Sequence, residues 1–290
     1  MGFLGLLASK PVVLLDGAMG TELDKKGLMG RGRTNLDSPD AVAEIHAAYA
    51  QAGCDALTTN TLTMNRIYIE THNVGVSVEE VNRAGARLAC QATGCSEYVL
   101  GDMSSTGQLL EPYGTYNGGQ FCHAFREQAQ VLANAGINAF LVESMFDLRE
   151  AIVALHACKE VSSLPVIVSI AFQTETKGGR TMMGDTAEQC AKRLTEEGAD
   201  VIGANCGDLD PSRMAQVVAL LKEATHLPLL AQPNAGLPTL VHGKTVFAMG
   251  PTEFADGLAE CIRAGAQIVG GCCGTTPQHI RAARAMIEGM

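Results

Sequence analysis

The sequence lacks tryptophan, long apolar runs and clusters of basic residues. Because no run approaches the roughly 18 apolar residues that cross a bilayer, a membrane-spanning helix is not expected. The opening MGFLGLLASK has no basic stretch before its short apolar patch, so we expect no signal peptide and a cytoplasmic location. A formal net charge of −10 without runs of Lys or Arg argues against binding to a nucleic-acid backbone. Small molecules or other proteins are therefore the expected partners.

Cysteine, in contrast, is plentiful, with ten in 290 residues. Without a secretory signal, these residues are expected to be reduced thiols rather than a disulfide framework. Seven of them fall in or beside predicted helices, where a thiol serves as a small hydrophobic side chain. These seven are Cys54, Cys90, Cys95, Cys122, Cys158, Cys190 and Cys261. The other three lie at the ends of predicted strands.

Short β-rich apolar segments alternate with longer amphipathic segments along the whole chain. The predicted strands span residues 12–17, 56–60, 98–103, 139–144, 165–172, 201–206, 228–234 and 268–273. The predicted helices lie near residues 39–52, 77–93, 118–135, 147–161, 186–198, 210–225, 251–264 and 276–288. Strands that are joined by helical crossovers pair in parallel, so eight such units predict a closed (β/α)8 barrel of the TIM type, an α/β fold with a single domain over residues 1–290. An open doubly wound sheet is the alternative, and the absence of G-x-G-x-x-G after any strand argues against it.

The connections between these segments differ in length on the two sides of the predicted barrel. Helix-to-strand connections take only a few residues, whereas long strand-to-helix connections span residues 18–38, 104–117, 173–185 and 235–250. In a barrel of this type, the strand-to-helix loops build the active site at the carboxyl ends of the strands. Polar residues at the strand ends are therefore the candidates for function.

Cys206 ends the sixth predicted strand, and Cys272 and Cys273 end the eighth. In a barrel these two strands flank the seventh, which places their ends roughly 10 Å apart and lets the three side chains share one metal ion. Three thiolates favour zinc over hard cations such as magnesium, and three protein ligands leave a fourth position open for a substrate. The alternative interpretations are a buried strand end of small residues or an oxidised pair, although a vicinal disulfide is strained.

These residues also carry a family resemblance that extends, in order, over nearly the whole chain. The motifs are Asp16-Gly17-Ala18-Met19-Gly20-Thr21, Thr59-Asn60-Thr61, Glu143, Asn205-Cys206, Pro233-Asn234-Ala235-Gly236 and Gly270-Gly271-Cys272-Cys273-Gly274-Thr275-Thr276-Pro277. Together they resemble the homocysteine S-methyltransferase family. The residues after the double cysteine, 274–277, are most like those in the homocysteine-binding domain of cobalamin-dependent methionine synthases.

The resemblance implies a methyltransferase in which Zn²⁺, held by Cys206, Cys272 and Cys273, activates the thiol of homocysteine for methylation to methionine. It also implies substrate-binding roles. Asp16 and Glu143 would bind the ammonium group by charge-assisted hydrogen bonds, while Gly17, Asn60 and Thr61 would meet the carboxylate. A strand-end Asp before Gly is also a common turn former, so Asp16 has a structural alternative.

The resemblance makes methylcobalamin the expected methyl donor. The chain contains no D-x-H-x-x-G corrinoid-binding motif around any histidine, so the donor is expected on a separate corrinoid protein or on further methionine synthase modules. A second enzymatic hypothesis is direct transfer from S-methylmethionine or betaine. A hypothesis of another class is a non-enzymatic zinc–thiol protein with a structural or sensing role, which should have a metal site closed by four protein ligands.

Asn234 ends the seventh predicted strand, between the two cysteine-bearing strands. We therefore hypothesise that its side-chain oxygen is a fourth zinc ligand when substrate is absent, the alternative being a role in the Pro-Asn-Ala-Gly turn. Two segments depart from the family pattern: residues 62–65, which read Leu-Thr-Met-Asn, and Ser104-Ser105 after the third strand. Both segments line the predicted mouth of the barrel, where they bear on the thiol substrate and on docking of the donor.

Overall fold

Eight parallel strands form one sheet in the computed structural model, which describes residues 2–93, 98–241 and 244–290. In chain order, all the strands of the described residues are β1 (Val13–Leu14), β2 (Ala56–Thr58), β3 (Tyr98–Met103), β4 (Ala139–Met145), β5 (Val166–Ile170), β6 (Phe172–Thr174), β7 (Arg180–Thr181), β8 (Val201–Asn205), β9 (Leu229–Gln232), β10 (Thr239–Val241), β11 (Lys244–Val246) and β12 (Ala266–Val269). Four of these, the short strands β6, β7, β10 and β11, lie outside the eight-stranded sheet. The order in the sheet is β1-β12-β9-β8-β5-β4-β3-β2, and a parallel bridge between Leu15 and Ala56 joins its two edges. The predicted (β/α)8 barrel is thereby confirmed.

Helices connect the strands. They are α1 (Phe3–Ser9), α2 (Gly20–Lys25), α3 (Thr34–Asp37), α4 (Pro39–Gln51), α5 (Arg66–Thr71), α6 (Val78–Ala92), α7 (Gly118–Asn134), α8 (Leu148–Val161), α9 (Ala187–Glu196), α10 (Pro211–Ala224), α11 (Pro251–Arg263) and α12 (Pro277–Glu288), with 3₁₀ turns at Arg31–Arg33 and Thr176–Gly178. All eight predicted helices are present. Four glycines that end helices, Gly53, Gly136, Gly198 and Gly265, have φ between 86° and 117°, as a left-handed helix terminus requires.

Side chains of the strands alternate between two cores. One set of side chains points into the barrel and includes Leu15, Leu100, Leu141 and Leu230. Their neighbours along each strand point outward and pack against the helices. Helix α1, which the sequence pattern did not predict, adds Phe3 and Leu6 to the interior cluster. Phe3 is fully buried and packs edge-on against Tyr98 at the start of β3. Helix α1 therefore fills the end of the barrel where the strands begin.

The long strand-to-helix loops all lie at the opposite end, and most of them carry extra elements. Helices α2 and α3 follow β1, α5 follows β2, and antiparallel hairpins β6–β7 and β10–β11 follow β5 and β9. The predicted strand 165–172 was too long, because β5 ends at Ile170 and Phe172 already pairs with Thr181 in the first hairpin. Cys95, one of the predicted helical cysteines, lies outside the described residues. No helix in the described part of the chain is long and apolar enough to cross a membrane.

Candidate metal centre and substrate cleft

A cleft of about 430 Å³ opens among the loops at the carboxyl ends of the strands. Strand alternation decides which side chains face it. Residues that continue the inward-facing positions beyond the last apolar layer include Asp102, Glu143, Gln232 and Cys272. All four of these residues line the cleft. The loop after β1 forms its outer wall.

Three thiols meet beside this cleft, and two of them, Cys272 and Cys273, line it. One ligand atom each from Cys206, Cys272 and Cys273 lie within 4.8 Å of one another, and the sulfurs of Cys206 and Cys273 are 3.9 Å apart. Two sulfurs that share a tetrahedral zinc ion at bonds of about 2.3 Å are expected to lie about 3.8 Å apart. The geometry therefore fits a zinc ion, and among the described residues this is the one group of three or more His, Cys, Asp or Glu side chains that fits a metal.

Backbone geometry presents these thiols. Cys206 adopts a left-handed conformation with φ of 54°, and its N–H donates to the carbonyl of Gln232. The next residue, Gly207, also has positive φ, and a Cβ atom there would lie 2.0 Å from the carbonyl oxygen of Phe172. Strand β8 therefore ends in a sharp turn that only glycine permits at residue 207, and this turn points Cys206 toward Cys273.

The two adjacent cysteines lie beyond the end of β12, where the chain is no longer a regular strand. The N–H of Cys272 donates to the carbonyl of Pro233, and the carbonyl of Cys273 accepts from the N–H of Ala235. At Gly274, φ is 81° and a Cβ atom would lie 2.2 Å from the side chain of Phe247. The double cysteine is thus tied to the loop after β9, which explains how neighbouring residues bring both sulfurs to one point.

The pKa values of the thiols are shifted in opposite directions. Hydrogen bonds from Cys206 and Cys272 lower the pKa of Cys273 to about 4, although burial opposes this shift. Hydrogen bonds to Cys206 and Cys273 raise the pKa of Cys272 well above its ordinary value. The cluster therefore stabilises one thiolate with two thiols, which is a donor set suited to a thiophilic cation.

Asn205 connects the cysteines to β4. Its fully buried side chain accepts from the N–H of Ser144 and from the hydroxyl of Ser169, and donates to the hydroxyl of Ser144, each at 2.8 Å. The same amide nitrogen lies 3.9 Å from the sulfur of Cys272. Ser144 follows Glu143 directly and has φ of 57°. One amide therefore contacts both a candidate metal ligand and the turn that carries Glu143.

The two carboxylates named from the sequence occupy different depths. Glu143 lines the cleft, and burial, followed by the nearby Cys206 and Asp16, raises its pKa to about 8. Asp16 is 2% exposed, and its two oxygens accept from the N–H and the hydroxyl of Thr58. Burial raises the pKa of Asp16 to about 7 despite these hydrogen bonds. Asp16 thus lies beneath the cleft surface that Glu143 forms.

A third carboxylate, Asp102, also lines the cleft and belongs to none of the sequence motifs. It is 6% exposed, and its Oδ1 atom is buried without a hydrogen-bond partner. Burial, followed by Glu143 and Asp16, raises its pKa well above the ordinary value. Its position two residues beyond the inward-facing Leu100 was the available signal, because side chains at that spacing share a face of the strand.

The remaining predicted contacts also separate into two groups. Gly17 and Asn60 line the cleft, and a Cβ atom at Gly17 would lie 2.6 Å from the hydroxyl oxygen of Thr275. Thr61 is fully buried, its hydroxyl donates to the carbonyl of Asp102, and its N–H donates to the carbonyl of Thr59. The structure therefore brings Gly17 and Asn60 to the cleft and leaves Thr61 below it.

Asn234 lies beside the thiols, in the loop that holds the double cysteine. Its amide nitrogen donates to the carbonyl of Gly207 at 3.0 Å, and its Oδ1 atom is buried without a hydrogen-bond partner. Since a buried amide oxygen normally accepts a hydrogen bond, this atom is available to a ligand that the protein itself does not supply.

Comparison with known proteins identifies the family of this chain. A profile described as homocysteine S-methyltransferase matches residues 13–287. The methionine synthase of Mycobacterium tuberculosis (strain ATCC 25618 / H37Rv) is 31% identical over 300 residues, which cover 96% of this chain and 25% of that protein. The chain belongs to the homocysteine S-methyltransferase family. This membership confirms the resemblance and the methyltransferase class that the sequence motifs predicted.

A second relative within this family is the methionine synthase of Mycobacterium leprae (strain TN), 31% identical over 297 residues that cover 95% of this chain and 24% of that protein. The chain therefore spans about a quarter of the length of the methionine synthases that it matches.

Solved structures support the fold. The homocysteine methyltransferase MmuM from Escherichia coli, in its metallated form, superposes with a TM-score of 0.80 at 21% identity, and the match covers 97% of this chain and 98% of that one. The carboxyl transferase domain of Rhizobium etli pyruvate carboxylase matches less closely, with a TM-score of 0.55 at 14% identity over 98% of this chain and 48% of that one.

Proposed function

We propose that this chain transfers a methyl group to the thiol of homocysteine, giving methionine. The observation that carries the proposal is the convergence of three cysteine sulfurs within 4.8 Å of one another, two of them from residues that line the same cleft as Glu143. A thiol site and a carboxylate side by side match the two ends of an amino-acid thiol. Family membership and the 31% identity to methionine synthases support the same substrate.

The proposed metal is zinc, held by Cys206, Cys272 and Cys273. Bound there, zinc would keep the substrate sulfur deprotonated at neutral pH, where a free thiol of pKa about 8.5 is mostly protonated. The methyl group then passes to that sulfur as a C–S bond forms, while the electron pair of the breaking bond stays on the donor. No side chain has to remove a proton during the transfer itself.

The residues of the cleft would bind the rest of the substrate. Glu143 accepts a charge-assisted hydrogen bond from the ammonium group, and Asp16 supplies a second negative charge beneath it. Gly17 and Asn60 are proposed to meet the carboxylate. Because Thr61 lies below the cleft, we assign it a supporting role, in which its hydroxyl fixes the backbone of Asp102.

We further propose that the donor is methylcobalamin, presented by a separate corrinoid protein or by further modules of a longer methionine synthase. The similarity to methionine synthases supports this donor, and it is greater in sequence than the 21% identity to MmuM. Transfer from S-methylmethionine or betaine is the alternative.

A methyl-transfer assay tests the proposal. The zinc-loaded protein would be incubated with L-homocysteine and, in separate reactions, methylcobalamin, S-methylmethionine and betaine, and methionine would be quantified. We expect methionine from methylcobalamin. Methionine formed only from S-methylmethionine or betaine would overturn the assignment of methylcobalamin as the donor. No methionine from any donor, together with a zinc ligand shell that homocysteine does not alter, would favour a structural or sensing metal site.

A further inference from the structure

We propose that Asp102 is a specificity-determining residue whose free oxygen accepts a hydrogen bond from the substrate ammonium, so that the cleft selects thiols with a primary ammonium group. This inference rests on the proposed function. It assigns a direct contact to a residue that neither the family motifs nor the strand-end cysteines point to. Three observations support it: the position of Asp102, its unpartnered oxygen and the charge around it.

The position of Asp102 is fixed through its backbone. Its N–H donates to the hydroxyl of Thr59 at 2.9 Å, and its carbonyl accepts from the hydroxyl of Thr61 at 2.7 Å. The two threonine hydroxyls are 2.6 Å apart and complete the chain of hydrogen bonds, with Thr59 donating to Thr61. The side chain of Asp102 follows the inward face of β3 and is therefore held toward the cleft.

The side chain itself is unusual among the buried carboxylates of this protein. Glu150, which is 1% exposed, accepts from the N–H and the hydroxyl of Thr106 and from the hydroxyl of Ser105. Asp102 is 94% buried, yet its Oδ1 atom has no partner. Since buried polar groups are nearly always hydrogen-bonded, the missing donor is best supplied by a ligand bound in the cleft that Asp102 lines.

The charge of the neighbourhood identifies the kind of ligand. Asp16 and Glu143 are close enough to raise the pKa of Asp102, so three carboxylates share one buried region. Among the described residues, Arg31 is the one Lys or Arg that lines the cleft, and it lies in the loop after β1, where its guanidinium donates to the hydroxyl of Tyr68. An incoming positive charge would relieve the repulsion among the carboxylates.

An ammonium group fits better than a metal ion. Among the described residues, the three cysteines are the one group that brings three metal-ligand atoms within 4.8 Å, so the carboxylates do not converge on one point. An ammonium group presents three N–H donors in three directions and suits acceptors that are spread apart. Both oxygens of Asp16 already accept from Thr58, which leaves Glu143 and Asp102 as the better-placed acceptors.

The test compares two ligands that differ only in the ammonium group. Binding of L-homocysteine and of 4-mercaptobutanoate to zinc-loaded wild type and Asp102→Asn would be measured by calorimetry, with zinc content and thermal unfolding as checks on folding. We expect the variant to bind homocysteine about tenfold more weakly or worse, because a charge-assisted hydrogen bond is lost, and to bind 4-mercaptobutanoate within about twofold of wild type. Asp24→Asn, at an exposed carboxylate on the cleft rim, is the matched control and should change neither affinity by more than about twofold.

Each outcome decides the matter. Equal losses for both ligands would make Asp102 a structural residue, and an unchanged affinity for homocysteine would remove it from the ammonium site, in both cases with the proposed function intact. Failure of the zinc-loaded wild type to bind homocysteine would overturn the proposed function and this inference together. If Asp102→Asn does not fold, Asp102→Ser is measured by the same criterion.

Discussion

The side chain of Asn205 holds Ser144 by two hydrogen bonds, one to its N–H and one to its hydroxyl, each at 2.8 Å. Ser144 has φ of 57°, a conformation that a residue other than glycine rarely adopts without support. Because Ser144 follows Glu143, this pair of bonds sets where the Glu143 strand turns. The same amide lies beside Cys272, so Glu143 and the candidate metal ligand Cys272 share one support.

A double-mutant cycle tests this support. Asn205→Ala should lower the free energy of unfolding by about 2–4 kcal/mol, because several buried hydrogen bonds are lost. Ser144→Gly should lower the free energy of unfolding by about 1 kcal/mol more in wild type than in the Asn205→Ala background, because the hydrogen bond to the serine hydroxyl is already absent in that background. Glycine itself tolerates the positive φ at this position. Urea unfolding gives the free energy of unfolding of wild type, the two single variants and the double variant. Additive effects would mean that Asn205 does not hold Ser144.

The three cysteines should each be required for metal binding. Cys206→Ala, Cys272→Ala and Cys273→Ala should each reduce bound zinc from about one ion per chain to a small fraction, and lower methyl transfer by about a thousandfold or more, because two thiolates bind zinc far less tightly than three. Metal analysis after dialysis measures the first effect. Cys122→Ala, at a half-buried thiol in helix α7, is the control and should retain zinc. Full zinc content in any of the three variants would remove that cysteine from the site.

Asn234 should be a metal ligand only in the absence of substrate. Its unpartnered Oδ1 atom is available for this role, and substrate sulfur would then replace it. Zinc-edge X-ray absorption of Asn234→Ala should reveal an altered ligand shell without homocysteine and an unchanged one with it. If the substrate-free shells of wild type and variant are the same, Asn234 only stabilises its turn through the bond to Gly207.

The pH dependence of stability should report the burial of Asp16. Its pKa is raised from 3.8 to about 7, so the folded protein keeps a proton there that the unfolded chain loses near pH 4. As the pH rises between these values, this group lowers the free energy of unfolding by up to about 1.4 kcal/mol per unit. Asp16→Asn has no carboxyl group at this position, so the variant lacks this contribution to the pH dependence.

Urea unfolding of wild type and Asp16→Asn at pH 5 and pH 8, in the same metal state, provides the comparison. The variant should become more stable relative to wild type at pH 8 than at pH 5. A difference between the two proteins that stays constant over this range would show that Asp16 is ionised in the folded protein throughout.

The barrel was predictable from the sequence because its signals are local. Glycine marked helix ends, apolar strands recurred between amphipathic segments, and the long connections all followed strands. The meeting of Cys206 with Cys272 and Cys273 also followed, because the closed sheet places β8 and β12 on either side of β9. Helix α1 escaped prediction because seven residues of an amino-terminal segment carry too short a pattern.

The depth of individual side chains was harder to predict. Thr61 belongs to a family motif, yet its hydroxyl donates a hydrogen bond to the backbone carbonyl of Asp102 at the end of the neighbouring strand. This contact depends on the register between β2 and β3. Asp102 has no place in the sequence motifs. Its significance depends on a missing hydrogen-bond partner, which is a property of the surrounding atoms rather than of sequence spacing.

Phe3 and Leu6 of helix α1 pack into the interior of the barrel at the end opposite the thiols. For the proposed function, with ligand exchange only through the loop face, homocysteine, the methyl donor and methionine would all pass through that face in turn. The shape of the protein then predicts the order of events: the thiol enters first, the donor covers it, and the donor has to withdraw before the product leaves. Steady-state kinetics should accordingly follow an ordered sequence, with methionine competing against homocysteine.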